Sequence, residues 1–145
     1  MRVVVDTNIV FSAILNTNSL IARVLLQPKT NLNFYSTDLL ILEIEEHKDK
    51  LIKISGLSIL ELEKSISLIT TKIRFIEANL IPQNILEAAI YLLEDIDIDD
   101  TEFVALTNHI HGRLWSGDKN LQRGLAKKGW TKFISTNELL SMIEK

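Results

Sequence analysis

The sequence predicts an α/β fold, with strands and helices alternating around a parallel sheet covered on both faces. Three observations carry that reading. Short β-branched or apolar runs at Arg2–Val5, Ile73–Ile76 and residues 113–116 have the length and composition of buried strands. Between them stand helix signals, among them two capping boxes, Ser58 with Glu61 and Ser135 with Glu138. No repeat, low-complexity tract or Pro/Gly-rich linker interrupts the 145 residues, so one domain over residues 1–145 is expected.

Taken in order, the first strand ends at Asp6, which is placed to cap a helix starting near Ile9. Ser19 or Asn18 caps a helix carrying Leu20, Ile21, Val24 and Leu25, stopped near Pro28. Residues 33–35 form a weak second strand, and Ser36 or Thr37 opens a helix reaching about His47. The Ser58–Glu61 box, with Leu57 and Leu62 as a hydrophobic staple, starts a helix that runs to about Thr71. After the strand Ile73–Ile76, Pro82 suits the first turn of a helix through Leu93. A helix follows at Thr101–His109, then the strand at 113–116, a helix at about 119–126, a strand at 131–134 and the C-terminal helix. Such alternation favours a parallel sheet, whose functional groups gather beyond the carboxyl ends of its strands.

Composition narrows the chemistry. With 46% hydrophobic and 24% charged residues, the chain has an ordinary globular make-up. It has no cysteine, which excludes disulfides, a thiol nucleophile and a Cys-based zinc site. The opening Met1–Asp6 stretch is no signal peptide and no apolar run approaches a membrane span, so a cytoplasmic protein without membrane contact is expected. The net charge of −3 weighs mildly against a nucleic-acid binder, although a carboxylate site for cations would account for part of the acidity.

Four acids stand out by position. Asp6 follows the first strand, Asp118 follows the strand at 113–116 behind Gly117, Asp100 begins a helix, and Glu43 borders an apolar helix face with Leu39, Leu40 and His47. Each has a local explanation: the three aspartates stand where helix caps are expected, and Glu43 can be an ordinary half-exposed helix residue. Asp97 and Asp99 read as a solvated acidic loop, with a water-mediated link to metal as the other option. Together the four carry more weight. Clustered carboxylates repel and raise one another's pKa unless a cation sits among them, and hard oxygen donors select Mg²⁺ or Mn²⁺. Such ions activate water and stabilise charge on a phosphodiester.

The segments Val3-Val4-Val5-Asp6-Thr7-Asn8, Glu43 with its helix, Asp99-Asp100-Thr101-Glu102-Phe103-Val104-Ala105-Leu106 and Leu114-Trp115-Ser116-Gly117-Asp118-Lys119-Asn120-Leu121 resemble, in order, the four motifs of PIN domains. The likeness covers nearly the whole chain and is strongest to bacterial PIN proteins related to type II toxin–antitoxin ribonuclease toxins. It implies a three-layer α/β/α sandwich with about five parallel strands. It also implies Mg²⁺- or Mn²⁺-dependent endoribonuclease activity at a four-carboxylate site. Asp6, Glu43, Asp100 and Asp118 match the catalytic, metal-binding acids. Asn8 and Ser116 match supporting polar positions, and Asp97 and Asp99 are placed beside them. Asp99 competes with Asp100, which is preferred because Phe103 and Ala105 then fall on inward helical positions. Glu45 and Glu46 compete with Glu43. Asn120 stands where many relatives carry a further acid, which leaves one metal or two open. The implied partners are RNA, an antitoxin protein and a second copy of the chain.

Lys119, Arg123, Lys127 and Lys128 lie near the fourth motif as candidate RNA contacts, with a solvated helix face and helix-dipole pairing as the alternative. Trp115 and Trp130 are assigned to packing ahead of base stacking, and His109 and His111 lack the partners of a zinc site. The leading expectation is therefore a metal-dependent ribonuclease, as the toxin of a toxin–antitoxin pair or in RNA processing. A catalytically silent RNA- or protein-binding module with the same fold is the alternative. An aspartate-nucleophile phosphatase is disfavoured, because Asn8 occupies the place of its second acid.

Overall fold

A computed structural model of the chain describes residues 1–28 and 31–144. Among the described residues five strands form one all-parallel sheet: β1 (Arg2–Val5), β2 (Asn33–Thr37), β3 (Ile73–Ile76), β4 (Arg113–Trp115) and β5 (Phe133–Ile134). Among the described residues nine α-helices pack around it: α1 (Thr7–Leu15), α2 (Leu20–Leu26), α3 (Asp38–Glu46), α4 (Lys48–Ser55), α5 (Ile59–Thr70), α6 (Gln83–Leu93), α7 (Thr101–His109), α8 (Lys119–Lys127) and α9 (Thr136–Ile143). The fold is the three-layer α/β/α sandwich that the sequence predicts.

The alternation of strand side chains builds the layers. Val3 and Val5 point into a core formed with Ile9, Ile14, Leu40 and Ile69 from the helices of one face. Val4, between them, points into a second core with Leu93, Phe103, Leu106 and Leu121 from the other. All three valines are fully buried, which explains why β1 is an unbroken apolar run. Burial of one such side chain stabilises the fold by about 1.5–3 kcal/mol.

Strand order is β3-β2-β1-β4-β5. The chain winds outward from β1 to β3, then returns to lay β4 on the other side of β1. The order therefore reverses between β1 and β4, and a crevice opens beyond their carboxyl ends. Val5 pairs with Trp115 in the register, so the next residues, Asp6 and Ser116, leave the sheet side by side.

Local signals mostly hold. Ser58 and Ser135 make complete capping boxes with Glu61 and Glu138, and Ser19 accepts from the Ala22 amide. Some boundaries differ. Pro82 occupies the N-cap position of α6, one residue before the first turn. The last strand is two residues long, Phe133–Ile134; of the two exposed residues before it, Lys132 contributes its carbonyl, which accepts from the Leu114 amide at 2.7 Å. The separate helix α4 is additional to the predicted set: residues 47–55 carry four charged side chains and bury only Leu51 against the core, a weak periodic signal. No single helix among the described residues is long and apolar enough to cross a membrane. The apolar pair α1 and α2 meets at a 102° bend and buries Val10, Ala13, Ala22 and Val24 in the core.

Candidate metal centre

The crevice at the strand-order reversal is a carboxylate-lined cleft. Asp6, Glu43, Asp97, Asp99, Asp100 and Asp118 all reach it, with Thr7, Asn8 and Phe103 completing the wall. These acids come from four separate stretches of chain. Asp6 arrives from the end of β1, Glu43 from the middle of α3, Asp97 to Asp100 from the α6–α7 connection, and Asp118 from the start of α8.

For Asp6 and Asp118, capping and cleft lining coincide. Asp6 Oδ1 accepts from the Ile9 amide at 3.0 Å, and Asp118 Oδ1 accepts from the Leu121 amide at 3.1 Å. A carboxylate has two oxygens and about four lone-pair sites, so one cap bond leaves capacity for a cation and fixes the side chain's direction. Asp100 stands at the N-cap of α7 but makes no side-chain cap bond. Asp97 accepts from the Asp99 amide at 3.1 Å, a turn that folds its carboxylate back over the short 3₁₀ segment Ile98–Asp100. One oxygen from each of Asp97, Asp100 and Asp118 lies within 4.8 Å of the others, a spacing that suits three ligands of one ion.

The electrostatics match a site short of positive charge. Burial, then the negative charges of Asp97, Asp6 and Asp118, push the Asp100 carboxyl up from 3.8 to about 7. Burial also raises Asp6, with Asp118 adding to the rise, while Ser116 and the Ile9 amide pull the other way. Glu43 is raised mainly by burial; the Thr7 hydroxyl lies close enough to favour its ionised form, though no bond of good geometry ties it. A divalent cation would reverse these shifts by favouring the ionised carboxylates. The donor set is all carboxylate oxygen, with neither sulfur nor imidazole, which fits Mg²⁺ or Mn²⁺.

The supporting residues separate by role. Ser116 is buried, and its hydroxyl accepts from the Asp118 amide at 3.2 Å, while Gln122 Nε2 donates to the Ser116 carbonyl at 2.8 Å. These bonds hold the β4–α8 turn against the cleft. Asn8 is exposed at the cleft wall. Asp99 is exposed and also lines a larger neighbouring cleft, walled by Leu39, Leu86, Ile90 and Ile98, that shares Glu43. Of the competing glutamates, Glu45 turns away to pair with Lys48 at 2.9 Å, and Glu46 lines only the neighbouring cleft. His47 is held beside the site, with Nδ1 2.8 Å from the Glu43 carbonyl and its ring against Phe11.

From the sequence, Asp97 is a supporting residue in a solvated loop; the structure leaves it exposed and brings one of its oxygens within 4.8 Å of Asp100 and Asp118, while Thr7 and Phe103, not named as site residues, also line the cleft. The available signal for Asp97 was its i, i+3 spacing to Asp100, which one tight turn can close.

The basic residues near α8 divide into free and engaged. Arg123 donates to Asn120 Oδ1 at 3.1 Å and to the Lys119 carbonyl at 3.3 Å. Lys128 donates to the Leu92 carbonyl at 2.8 Å and pairs with Asp95. Lys119 and Lys127 are exposed and form no ion pair among the described residues. Trp115 is fully buried, donating to Thr136 and packing near Phe34; Trp130 packs edge-on to Phe133 and donates to Asn108.

Comparison with known proteins agrees with the geometry. No curated protein sequence matches the chain. It is similar in structure to a chain in the crystal structure of VapBC2 from Rickettsia felis bound to a DNA fragment from their promoter. The TM-score is 0.66 at 14% identity, over 93% of this chain and 97% of that one. At that identity the likeness speaks for the fold. A family profile described as PIN domain matches residues 4–139, a span that runs from β1 through the acids of the cleft into α9. The chain belongs to the PIN domain family.

Proposed function

We propose that the chain is a single PIN-like domain, residues 1–145, that hydrolyses RNA phosphodiester bonds as a Mg²⁺- or Mn²⁺-dependent endoribonuclease. The observation that supports this most is the convergence of Asp97, Asp100 and Asp118 within 4.8 Å, in a cleft that Asp6 and Glu43 also line. Asp6, Glu43, Asp100 and Asp118 are the proposed catalytic acids, and Asp97 joins them as a ligand. When bound, a divalent ion supplies Lewis-acid stabilisation of the phosphoryl oxygens and a hydroxide-like water at neutral pH.

The chain's own residues do the rest. Asp6 and Asp118 are oriented by their cap bonds, which would leave their remaining oxygens to hold a cation. Burial first, and then the neighbouring negative charges, hold the Asp100 pKa near 7, and a bound cation would favour its ionised form. Glu43, half-buried in the cleft lining with a raised pKa, is the proposed proton acceptor for water. Lys119 and Lys127 contribute the positive charge that draws RNA phosphates toward an acidic cleft.

A silent binding module is the second reading. The observation favouring it is Asn120, which takes the place of an acid and bonds to Arg123 instead of reaching the cleft. By family resemblance the chain is also proposed to meet an antitoxin or a second copy of itself in the cytoplasm. Ile54 on α4 and Ile59, Leu60 and Leu68 on α5 are exposed apolar side chains of the kind such contacts cover.

The deciding experiment is cleavage of a pool of labelled RNAs with Mn²⁺ or Mg²⁺, beside EDTA and Asp6→Asn controls. Cleavage lost in both controls supports the nuclease. Tight RNA binding without metal-dependent turnover supports the silent module.

A further inference from the structure

We propose that α8 is a latch that holds Asp97 against Asp118 through two positioning residues, Gly124 and Lys128. The proposal rests on the metal-centre reading above. Asp118 caps the start of α8, while Asp97 stands in the α6–α7 connection. Like charges at this spacing repel, and the connection has to be held down while no cation joins them.

Two contacts, from α8 and its C-cap, do so, one at Ile96 and one just before it. At Gly124, mid-helix, an added methyl would come within 2.8 Å of Ile96 Cδ1, 3.1 Å of Cγ1 and 3.2 Å of Cγ2. Atoms of both branches of Ile96 crowd that point, so turning one terminal methyl does not relieve it. Glycine is a poor residue for a helix interior, and here its missing side chain lets Ile96 seat directly on the helix. One turn later the Lys128 ammonium bonds the Leu92 carbonyl at 2.8 Å and pairs with Asp95. Residues 92, 95 and 96 are thereby tied to the helix that carries Asp118 at its other end. Ile96 and Asp97 both bond back to the Leu93 carbonyl at 3.0 Å, so a shift at Ile96 passes to Asp97.

The test is Mn²⁺ binding to the full chain at pH 8, by calorimetry and by the electron paramagnetic resonance of unbound Mn²⁺, alongside thermal unfolding in EDTA. Gly124→Ala and Lys128→Met should each weaken Mn²⁺ binding about tenfold, the scale of outer-shell losses at metal sites. Lys128→Arg, which keeps both donors, should restore most of it. Alanine favours helix over glycine, so Gly124→Ala should lose affinity without a matching loss of thermal stability. If that variant misfolds, the Lys128→Met and Lys128→Arg pair carries the test. Wild-type binding with unchanged affinity in folded variants would overturn the latch alone. No Mn²⁺ binding by the wild-type chain would overturn the metal centre, and the latch with it.

Discussion

Replacing Asp100 by asparagine should stabilise the metal-free protein at pH 8 while removing its response to metal. The folded state raises this carboxyl from 3.8 to about 7, so the unfolded chain releases the proton first. Between about pH 4 and pH 7 the native state binds more protons than the unfolded one, and stability falls as pH rises through that window. At about 1.4 kcal/mol per pH unit, the full rise sets a ceiling of roughly 4 kcal/mol. Asp100 is only half-buried, so solvent screens much of it, and a gain of about 1–2 kcal/mol is expected for Asp100→Asn. That corresponds to about 3–8 °C in Tm for a chain of this size. The assay is thermal unfolding by circular dichroism in EDTA at pH 5 and pH 8, repeated at pH 8 with Mn²⁺. The variant should gain more over wild type at pH 8 than at pH 5. With Mn²⁺ the order should reverse, because binding at a hundredfold excess over Kd stabilises the wild type by about 2.7 kcal/mol. A lower Tm for Asp100→Asn at pH 8 in EDTA, or a gain that does not grow with pH, would refute the reasoning.

Other expectations follow from the same geometry. Mn²⁺ affinity should rise with pH from 6 to 8 as Asp100 loses its proton, since only the carboxylate is a ligand; a flat profile in titration calorimetry would contradict this. Glu43→Gln should lower RNA cleavage by at least about a hundredfold, the scale of general-base catalysis, whereas Glu45→Gln, outside the cleft, should leave single-turnover rates within about twofold. Replacing Lys119 and Lys127 together by Gln should weaken RNA binding and make log Kd less dependent on log salt by about 1.4, or about 0.7 for each single-strand phosphate left without its lysine, in fluorescence anisotropy. Ser58→Ala breaks one capping box and should cost about 1 kcal/mol in urea unfolding without changing cleavage, since α5 lies outside the cleft.

Much of the architecture is legible in the sequence because its signals are local. Val3, Val4 and Val5 are buried on both faces of one strand, and that demand leaves an uninterrupted β-branched run. The capping boxes at Ser58 and Ser135 close between residues three apart, so sequence spacing alone reveals them. The motif acids are legible for a related reason: each aspartate sits at a strand end or helix start, and those junctions carry their own marks.

What the sequence left open depends on contacts between distant stretches. It offered Glu43, Glu45 and Glu46 as rivals; which one faces the cleft is set by how α3 lies on the sheet. It placed Asp97 in a solvated loop, where the structure leaves it exposed; that Ile96 seats this loop on Gly124, close to Asp118, has no local signal. It offered Lys128 to RNA, whereas the end of α6 and Asp95 engage its ammonium. The strand order β3-β2-β1-β4-β5, which makes the crevice, likewise has no local signature. Propensity, caps and alternation act over a few residues and determined the elements. Which charges meet, and which cations remain free to meet a ligand, is decided by packing across the fold, where a neighbour in space leaves no mark on spacing in sequence.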